Sequence, residues 1–535
     1  MASAKGPTSD LMQTLEDGEE IEPAKDIDED QVGVKVDPVD EGEACVAPDQ
    51  FDDKYQSSRL EIWSYYFYYV GENGLGPFNF GPTAFQNLLS IAAGDADRVL
   101  FFGALRSTNS AVLLANGVSC AINVVLFLLI GSLADFGTWR PLILIFWTVV
   151  GFALSMAWLG VQDASHLGAA TALYIIGLIA YQMCLSFWTA AFPSLARNTV
   201  EMREGARALT QGEMTRKEYD CLDMMQRNRI SNVAFAVQSA GELVVLAIIV
   251  GIMFAVDVDA SQANNNRGLS ILIAFTGAVW LLCAIPWFVV EKYRPGQPLP
   301  PNTNIFSAGL KQITTALREI WKLKQSLLYL VGYFVLSDAL ATTVTVIGTL
   351  QNTVSEFNTL TLTYLLIVGI AAQFIGISSF WLVQRRFQLS TKVMLNVVMV
   401  AIVLLDGWGM IGIWTQRFGF KRVYEFYLYQ ALYGLFVCPW YSYSLVMVSE
   451  ITPRGREFLF FSLFGIVGKT SAFIGPICSS AIIDASSSGN KNLPFYFLFG
   501  LSSLSLIVLS LSLDLERSRR EQADFLKAQN DKLSL

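Results

Sequence analysis

The 535-residue chain is 53% hydrophobic and only 16% charged, whereas soluble domains carry about 25% charged residues. That composition excludes a soluble globular protein and indicates a polytopic membrane protein. The formal net charge of −9 misleads, because residues 1–58 alone hold 17 acids against four lysines and the remainder is mildly basic.

The head, 1–58, clusters Glu and Asp with few aromatics and reads as a disordered acidic cytosolic tail. It shows no basic segment followed by a short apolar core, so no cleavable signal peptide is expected. The first span, Glu61 to Ala93, is about 30 residues long, more than the roughly 20 that a bilayer core requires. Near its middle it carries Gly71-Glu72-Asn73-Gly74-Leu75-Gly76 and then Pro77-Phe78-Asn79-Phe80-Gly81-Pro82. Freed backbone groups there find no partner in hydrocarbon, so this span must face protein or a wet cavity. Glu72 is accordingly a functional-site candidate, with Asn73 and Asn79 beside it.

Further apolar runs occupy 107–134, 141–160, 168–192, 231–255 and 269–290, then 326–349, 360–383, 393–414, 424–449, 459–483 and 494–513. The expected architecture is therefore all-α with 12 transmembrane helices, as a six-helix bundle over 59–290 and another over 326–513. A cytosolic loop at 193–230 interrupts the first bundle, and a cytosolic tail fills 514–535. The intervening linker, 291–325, opens with Tyr293-Arg294-Pro295-Gly296-Gln297-Pro298-Leu299-Pro300-Pro301. Phe306, Leu310, Ile313, Leu317, Ile320 and Trp321 then mark a basic amphipathic helix suited to a membrane surface. Lys and Arg concentrate on the side of Arg140, the 197–229 loop, the linker and Arg517–Lys532, which places both termini in the cytosol. The 197–229 loop mixes bases with nearly as many acids, so it reads as a solvated, partly helical insertion and not as a nucleic-acid surface.

Charged residues sit at matching places in the two halves, as parallel repeats would have them. Glu72 is answered by Asp338 in span seven, and Glu242 in span five by Lys469 in span eleven. An ion at mid-bilayer costs on the order of 3 kcal/mol or more unless paired or hydrated, so function or a Glu242–Lys469 staple is implied. Trp440 and Tyr441, following Pro439, are the aromatic pair best placed to wall a pocket, while Asn116 and Asn123 are expected to bond between helices. Seven cysteines without CxxC spacing and a single histidine, His166 in a loop, support neither a disulfide framework nor a metal site. No cofactor is implied, and no activated nucleophile suggests an enzyme.

Between spans two and three, Gly131-Ser132-Leu133-Ala134-Asp135-Phe136-Gly137-Thr138-Trp139-Arg140 resembles the gating loop of the major facilitator superfamily, with its usual basic pair reduced to Arg140. Gly131, Asp135, Gly137 and Arg140 are the gating candidates. A closer resemblance, covering about 60–515, is to the autophagy-related protein 22 family. It is carried by Gly419-Phe420-Lys421, Tyr424-Glu425-Phe426-Tyr427, Ser449-Glu450-Ile451-Thr452-Pro453, Gly468-Lys469-Thr470-Ser471, Gly475-Pro476, the Arg294–Pro300 linker and Leu195-Ala196-Arg197-Asn198. The resemblance implies a fungal vacuolar membrane protein of that superfamily. Such a protein releases amino acids, leucine-like and aromatic among them, after autophagic breakdown. In that scheme Glu72 or Asp338 would meet the substrate ammonium, and Lys469 or helix ends near the Gly71–Gly76 break would meet its carboxylate. A proton carried by Glu72 would couple export to the acidity of the lumen. The residues alone leave open a carrier of another small solute, sugar or drug, and a transport-dead scaffold using the 193–230 loop.

Overall fold

A chain crossing lipid must satisfy its backbone N–H and C=O groups internally, and helices do this segment by segment. The computed structural model describes residues 52–94, 98–134, 138–294, 320–354, 359–453 and 490–533, with isolated positions between 460 and 482. They belong to one compact unit, Val46–Leu535. The acidic head, most of the linker with its amphipathic helix, Asp135, Gly137 and Lys469 lie outside the described residues.

The first crossing is broken as its glycines and prolines suggest. Helix α1 (Arg59–Gly71) ends just before Glu72, a π turn covers Leu75–Phe80, and α2 (Gly81–Ala93) completes the span. A short hairpin follows, β1 (Arg98–Phe101) against β2 (Ala104–Ser107), reversing through Phe102 and Gly103, both at positive φ. The remaining helices of the first half are α3 (Thr108–Ala134), α4 (Arg140–Ala157), α5 (Leu167–Thr189), α6 (Phe192–Arg197), α7 (Val200–Gln211), α8 (Arg216–Val256) and α9 (Gln262–Val290). The second half contains α10 (Lys324–Val354), α11 (Thr359–Phe387), α12 (Thr391–Ile411), α13 (Val423–Leu432), α14 (Pro439–Ile451), α15 (Pro494–Ser512) and the C-terminal α16 (Leu515–Leu533). A π turn at Tyr433–Val437 joins α13 to α14 within one crossing. Among the described residues nine helical stretches are long and apolar enough to span a membrane.

Among the described residues, span ends match the expected runs within a few residues except at α8 and at the start of α9, and the run at 459–483 lies mostly outside the described residues. The 41 residues of α8 measure about 60 Å at 1.5 Å per residue, twice the roughly 30 Å of a hydrocarbon core. The 197–229 segment is helical over most of its length, as the partly helical reading expected, and keeps many of its charged side chains exposed. Its α7 and the start of α8 form a helical hairpin with a small core of Met202, Ala206 and Tyr219. Thr215 and Glu218 close a capping box at the start of α8, satisfying N–H groups that a helix start leaves free.

The halves meet where α8 packs along α11. The end of the molecule holding Arg140, Arg227, Arg294 and Arg519 is called the basic end below. There Arg227 of α8 donates to the Ser449 carbonyl and hydroxyl of α14, each at 2.7 Å, and Asn228 donates to Thr391 at 2.8 Å. One helical turn deeper, the Ser231 and Ser442 hydroxyls lie 2.9 Å apart. Arg519 of α16 reaches Asp220 of α8 at 2.8 Å. These contacts tie the two halves shut at the basic end.

Candidate functional site

The site begins with the break in the first crossing. Gly74 takes the left-handed conformation at φ 82, which costs an L side chain about 1–2 kcal/mol. Gly71 and Gly76 let the broken segment press on α9. A Cβ on Gly71 would stand 2.7 Å from Trp280 Cα, and one on Gly76 2.8 Å from Thr276 Oγ1. The Asn73 amide donates to the Val70 carbonyl at 3.0 Å, and its oxygen accepts from Leu75 N–H at 3.0 Å. Asn73 therefore fastens the break. Asn79, half-buried on the π turn, accepts at its carbonyl from Thr83 Oγ1 at 2.8 Å.

Glu72 immediately follows α1 and is 1% exposed, and neither carboxylate oxygen has a hydrogen-bond partner among the described residues. The hydroxyls of Tyr69 and Tyr181 lie within electrostatic reach of both Glu72 and Glu242. Tyr181 also interacts with Tyr441 of the second half, and Glu242 with Cys438. The Tyr181 hydroxyl lies beside Gly74, at the break that carries Glu72.

Glu242 is not bare. Gln238 Nε2 donates to its Oε2 at 2.5 Å, while Gln373 of α11 donates to Ser239 at 2.8 Å and to Gln238 at 3.3 Å. The expected staple partner, Lys469, lies outside the described residues. Asp338 is fastened elsewhere: its Oδ1 accepts from the Gly475 N–H at 2.9 Å. The aromatic pair splits. Trp440 is buried and stacked on Tyr333 at 5.6 Å, whereas Tyr441 is exposed and its hydroxyl lies 3.1 Å from that of Tyr433. Of the two, only Tyr441 offers a surface to a ligand.

The tyrosines of α1 pack instead of lining a pocket. Tyr65 and Tyr69 stack on Trp188 at 4.4 and 4.2 Å, and the Trp188 indole donates to the Tyr65 carbonyl. Asn116 accepts from Tyr174 at 2.7 Å, the expected bond between helices. Asn123 is buried with its oxygen unpartnered among the described residues.

At the basic end, Arg140 begins α4 and pairs with Glu291 just after α9. Burial pushes the Glu291 carboxyl above the usual carboxylate range, against the opposing pull of Arg140. Arg294 grips both oxygens of Glu61 at 2.8 and 2.9 Å and also donates to Ser57 at 3.0 Å. Gly131 lies in the last turn of α3, while its companions Asp135 and Gly137 lie outside the described residues.

Sequence reasoning missed Glu61 and Glu291 as buried pair members, and it missed Asp406. The last is wholly buried in α12 and accepts from Thr343 Oγ1 at 2.7 Å. The rule that singled out Glu72, an acid inside a span, was sufficient to find it. Among the described residues no group of three or more His, Cys, Asp or Glu is placed to hold a metal ion.

A family model described as "Vacuole effluxer Atg22 like" matches residues 57–523. Autophagy-related protein 22-1 of Sclerotinia sclerotiorum is 23% identical over 76% of this chain and 74% of its own. Autophagy-related protein 22 of Botryotinia fuckeliana is 24% identical over 80% and 76% respectively. Among solved structures, the proton:xylose symporter XylE aligns over 87% of this chain and 98% of its own, with TM-score 0.58 and 13% identity. The human organic anion transporter MFSD10 covers 86% of this chain and 100% of its own, with TM-score 0.51 and 15% identity. At such identities the likeness establishes the fold, that of the major facilitator superfamily.

Proposed function

This chain belongs to the family of Atg22-like vacuole effluxers, and on that premise we propose that it exports amino acids from the vacuole lumen to the cytosol. It is a multi-pass membrane transporter and not an enzyme. Export of leucine-like or aromatic amino acids, with both termini in the cytosol, is the finer reading. The observation that carries it is Glu72, a buried carboxylate with no hydrogen-bond partner among the described residues, set at the break in the first crossing.

An unpaired carboxylate at that depth costs on the order of 3 kcal/mol or more, and either a proton or a substrate ammonium relieves it. Binding either one therefore offsets that cost. Glu242, steadied by Gln238, adds negative potential facing Tyr181. Tyr441 presents an aromatic face to an apolar side chain, and Lys469 or the helix ends at the break meet the carboxylate. The lock of Arg227 on Ser449 must release for substrate to leave at the basic end. Loading Glu72 with a proton from an acidic lumen then couples that release to the proton gradient.

The test uses the purified full chain in lipid vesicles loaded with labelled leucine at acidic internal pH. Wild type is expected to release leucine faster with the gradient than without it. Glu72→Gln is expected to reduce gradient-driven release at least tenfold. Retained driven release in Glu72→Gln would refute the role of that carboxylate. Transport of a sugar, uncompeted by leucine or phenylalanine, would refute the substrate class.

A further inference from the structure

Asp406 is a buried acid for which the export scheme above has no use. It lies in α12 and is wholly buried. From the packed elements, Thr343 of α10 donates to its Oδ1 at 2.7 Å, Ser502 of α15 lies nearby but donates to the Leu498 carbonyl of its own helix at 2.9 Å, and Tyr429 of α13 lies within electrostatic range. No basic side chain among the described residues acts on it, and its Oδ2 has no hydrogen-bond partner there. An asparagine would serve Thr343 equally well without the desolvation cost of an ionisable group. The geometry suits a carboxyl that carries one proton on Oδ2 and accepts from Thr343 at Oδ1.

Its depth matters. Helix α12 runs from the side of Lys392 towards Ile411, so Asp406 lies about 7 Å from the far end at 1.5 Å per residue. That end is opposite the basic end. From it a row of tyrosines leads inward. The Tyr429 hydroxyl is buried without a hydrogen-bond partner among the described residues and lies within electrostatic range of Asp406. The Tyr429 and Tyr433 rings stand 5.5 Å apart, and the Tyr433 and Tyr441 hydroxyls 3.1 Å apart. Across the site, the Tyr181 hydroxyl lies beside Gly74, at the break that carries Glu72.

We propose that Asp406 is a second proton-binding site, in the second half of the transporter, communicating with the central carboxylates along Tyr429, Tyr433 and Tyr441. One proton is taken up at Oδ2 from the end opposite the basic network and later released, the carboxylate regaining its charge. Nothing else is consumed. The inference rests on the proton-coupled reading above.

Two measurements separate its failure from the failure of that reading. Infrared difference spectra of the purified protein between acidic and neutral pH are expected to show the carbonyl stretch of a protonated carboxyl group. Asp406→Asn is expected to remove one component of that band and Thr343→Val to shift the same component, while Glu72→Gln removes a different one. In vesicles, Asp406→Asn is expected to keep leucine exchange at equal pH within twofold of wild type. The same variant is expected to lose gradient-driven release at least tenfold, and Tyr429→Phe to slow driven release with exchange intact. A carboxyl band unchanged in both Asp406→Asn and Thr343→Val, or equal loss of exchange and driven release in Asp406→Asn, would overturn the proposal. If wild type itself shows no driven release, the proton-coupled export reading falls, and the infrared band alone decides whether Asp406 binds a proton.

Discussion

Buried carboxylates at the basic end and at mid-membrane are treated in opposite ways. Glu61 and Glu291 each meet a guanidinium, and Arg294 fills its remaining donors with Ser57 and the Tyr55 carbonyl. Midway across, Glu72 has no such partner among the described residues and Glu242 is held by one amide. A carboxylate locked to a buried guanidinium cannot release its charge without uncovering that of its partner. A carboxylate with free oxygens can bind a cation or a proton and give it up again. The first arrangement suits a hinge point that must stay put, and the second suits a site that changes occupancy each cycle.

The sharpest way to break this contrast is to remove charge from each set. Arg294→Ala leaves Glu61 buried and uncompensated, a change that typically costs about 3–5 kcal/mol. It is expected to lower the thermal unfolding midpoint of the purified protein markedly. Glu72→Gln removes an unpaired charge and is expected to leave that midpoint unchanged or raise it. Equal destabilisation by the two substitutions would show that Glu72 is structurally paired and would dissolve the distinction.

A smaller effect is expected where the charges must move. The Arg227 guanidinium bonds to Ser449 across the halves, and hydrogen bonds to a charged group contribute about 1.5–3 kcal/mol each. Arg227→Gln keeps an amide donor for one of the two bonds and should therefore favour opening of the basic end by roughly ten- to hundredfold. A cysteine placed at Ser231, buried behind that lock, reports it through its rate of labelling by a water-soluble maleimide. A rate unaffected by Arg227→Gln would mean that the contact does not hold the halves together.

How legible these features are in the sequence depends on how local their causes are. Spans were legible because apolar length answers to bilayer thickness, and the break at Glu72 because glycine and proline bracket it. The α7–α8 hairpin was so only in part, since its mixed charges imitate a solvated loop. Yet Thr215-Arg216-Lys217-Glu218 spells a capping box that announces a helix start. Asp406 was legible and passed over, being the lone acid within an otherwise apolar run. The Arg294–Glu61 pair is a different case. Its partners lie 233 residues apart, and nothing local to either one names the other.

The mildest substitution asks whether the break itself, and not only its carboxylate, belongs to the occupancy-changing set. Gly74 and Gly212 both sit at positive φ, 82 and 75, so alanine at either should cost about 1–2 kcal/mol of backbone strain. Their surroundings differ. A Cβ at Gly212 meets nothing within 4 Å, whereas one at Gly74 stands 3.0 Å from the Tyr181 hydroxyl oxygen. That hydroxyl lies within electrostatic range of both Glu72 and Glu242, so crowding it disturbs the surroundings of the two acids. Gly212→Ala is expected to lower stability slightly with leucine transport unaltered. Gly74→Ala is expected to lower stability by a similar amount and to raise the half-saturation concentration for leucine severalfold. Matching transport in the two variants would confine the break to a scaffolding role, leaving Glu72 to act without help from the bend that presents it.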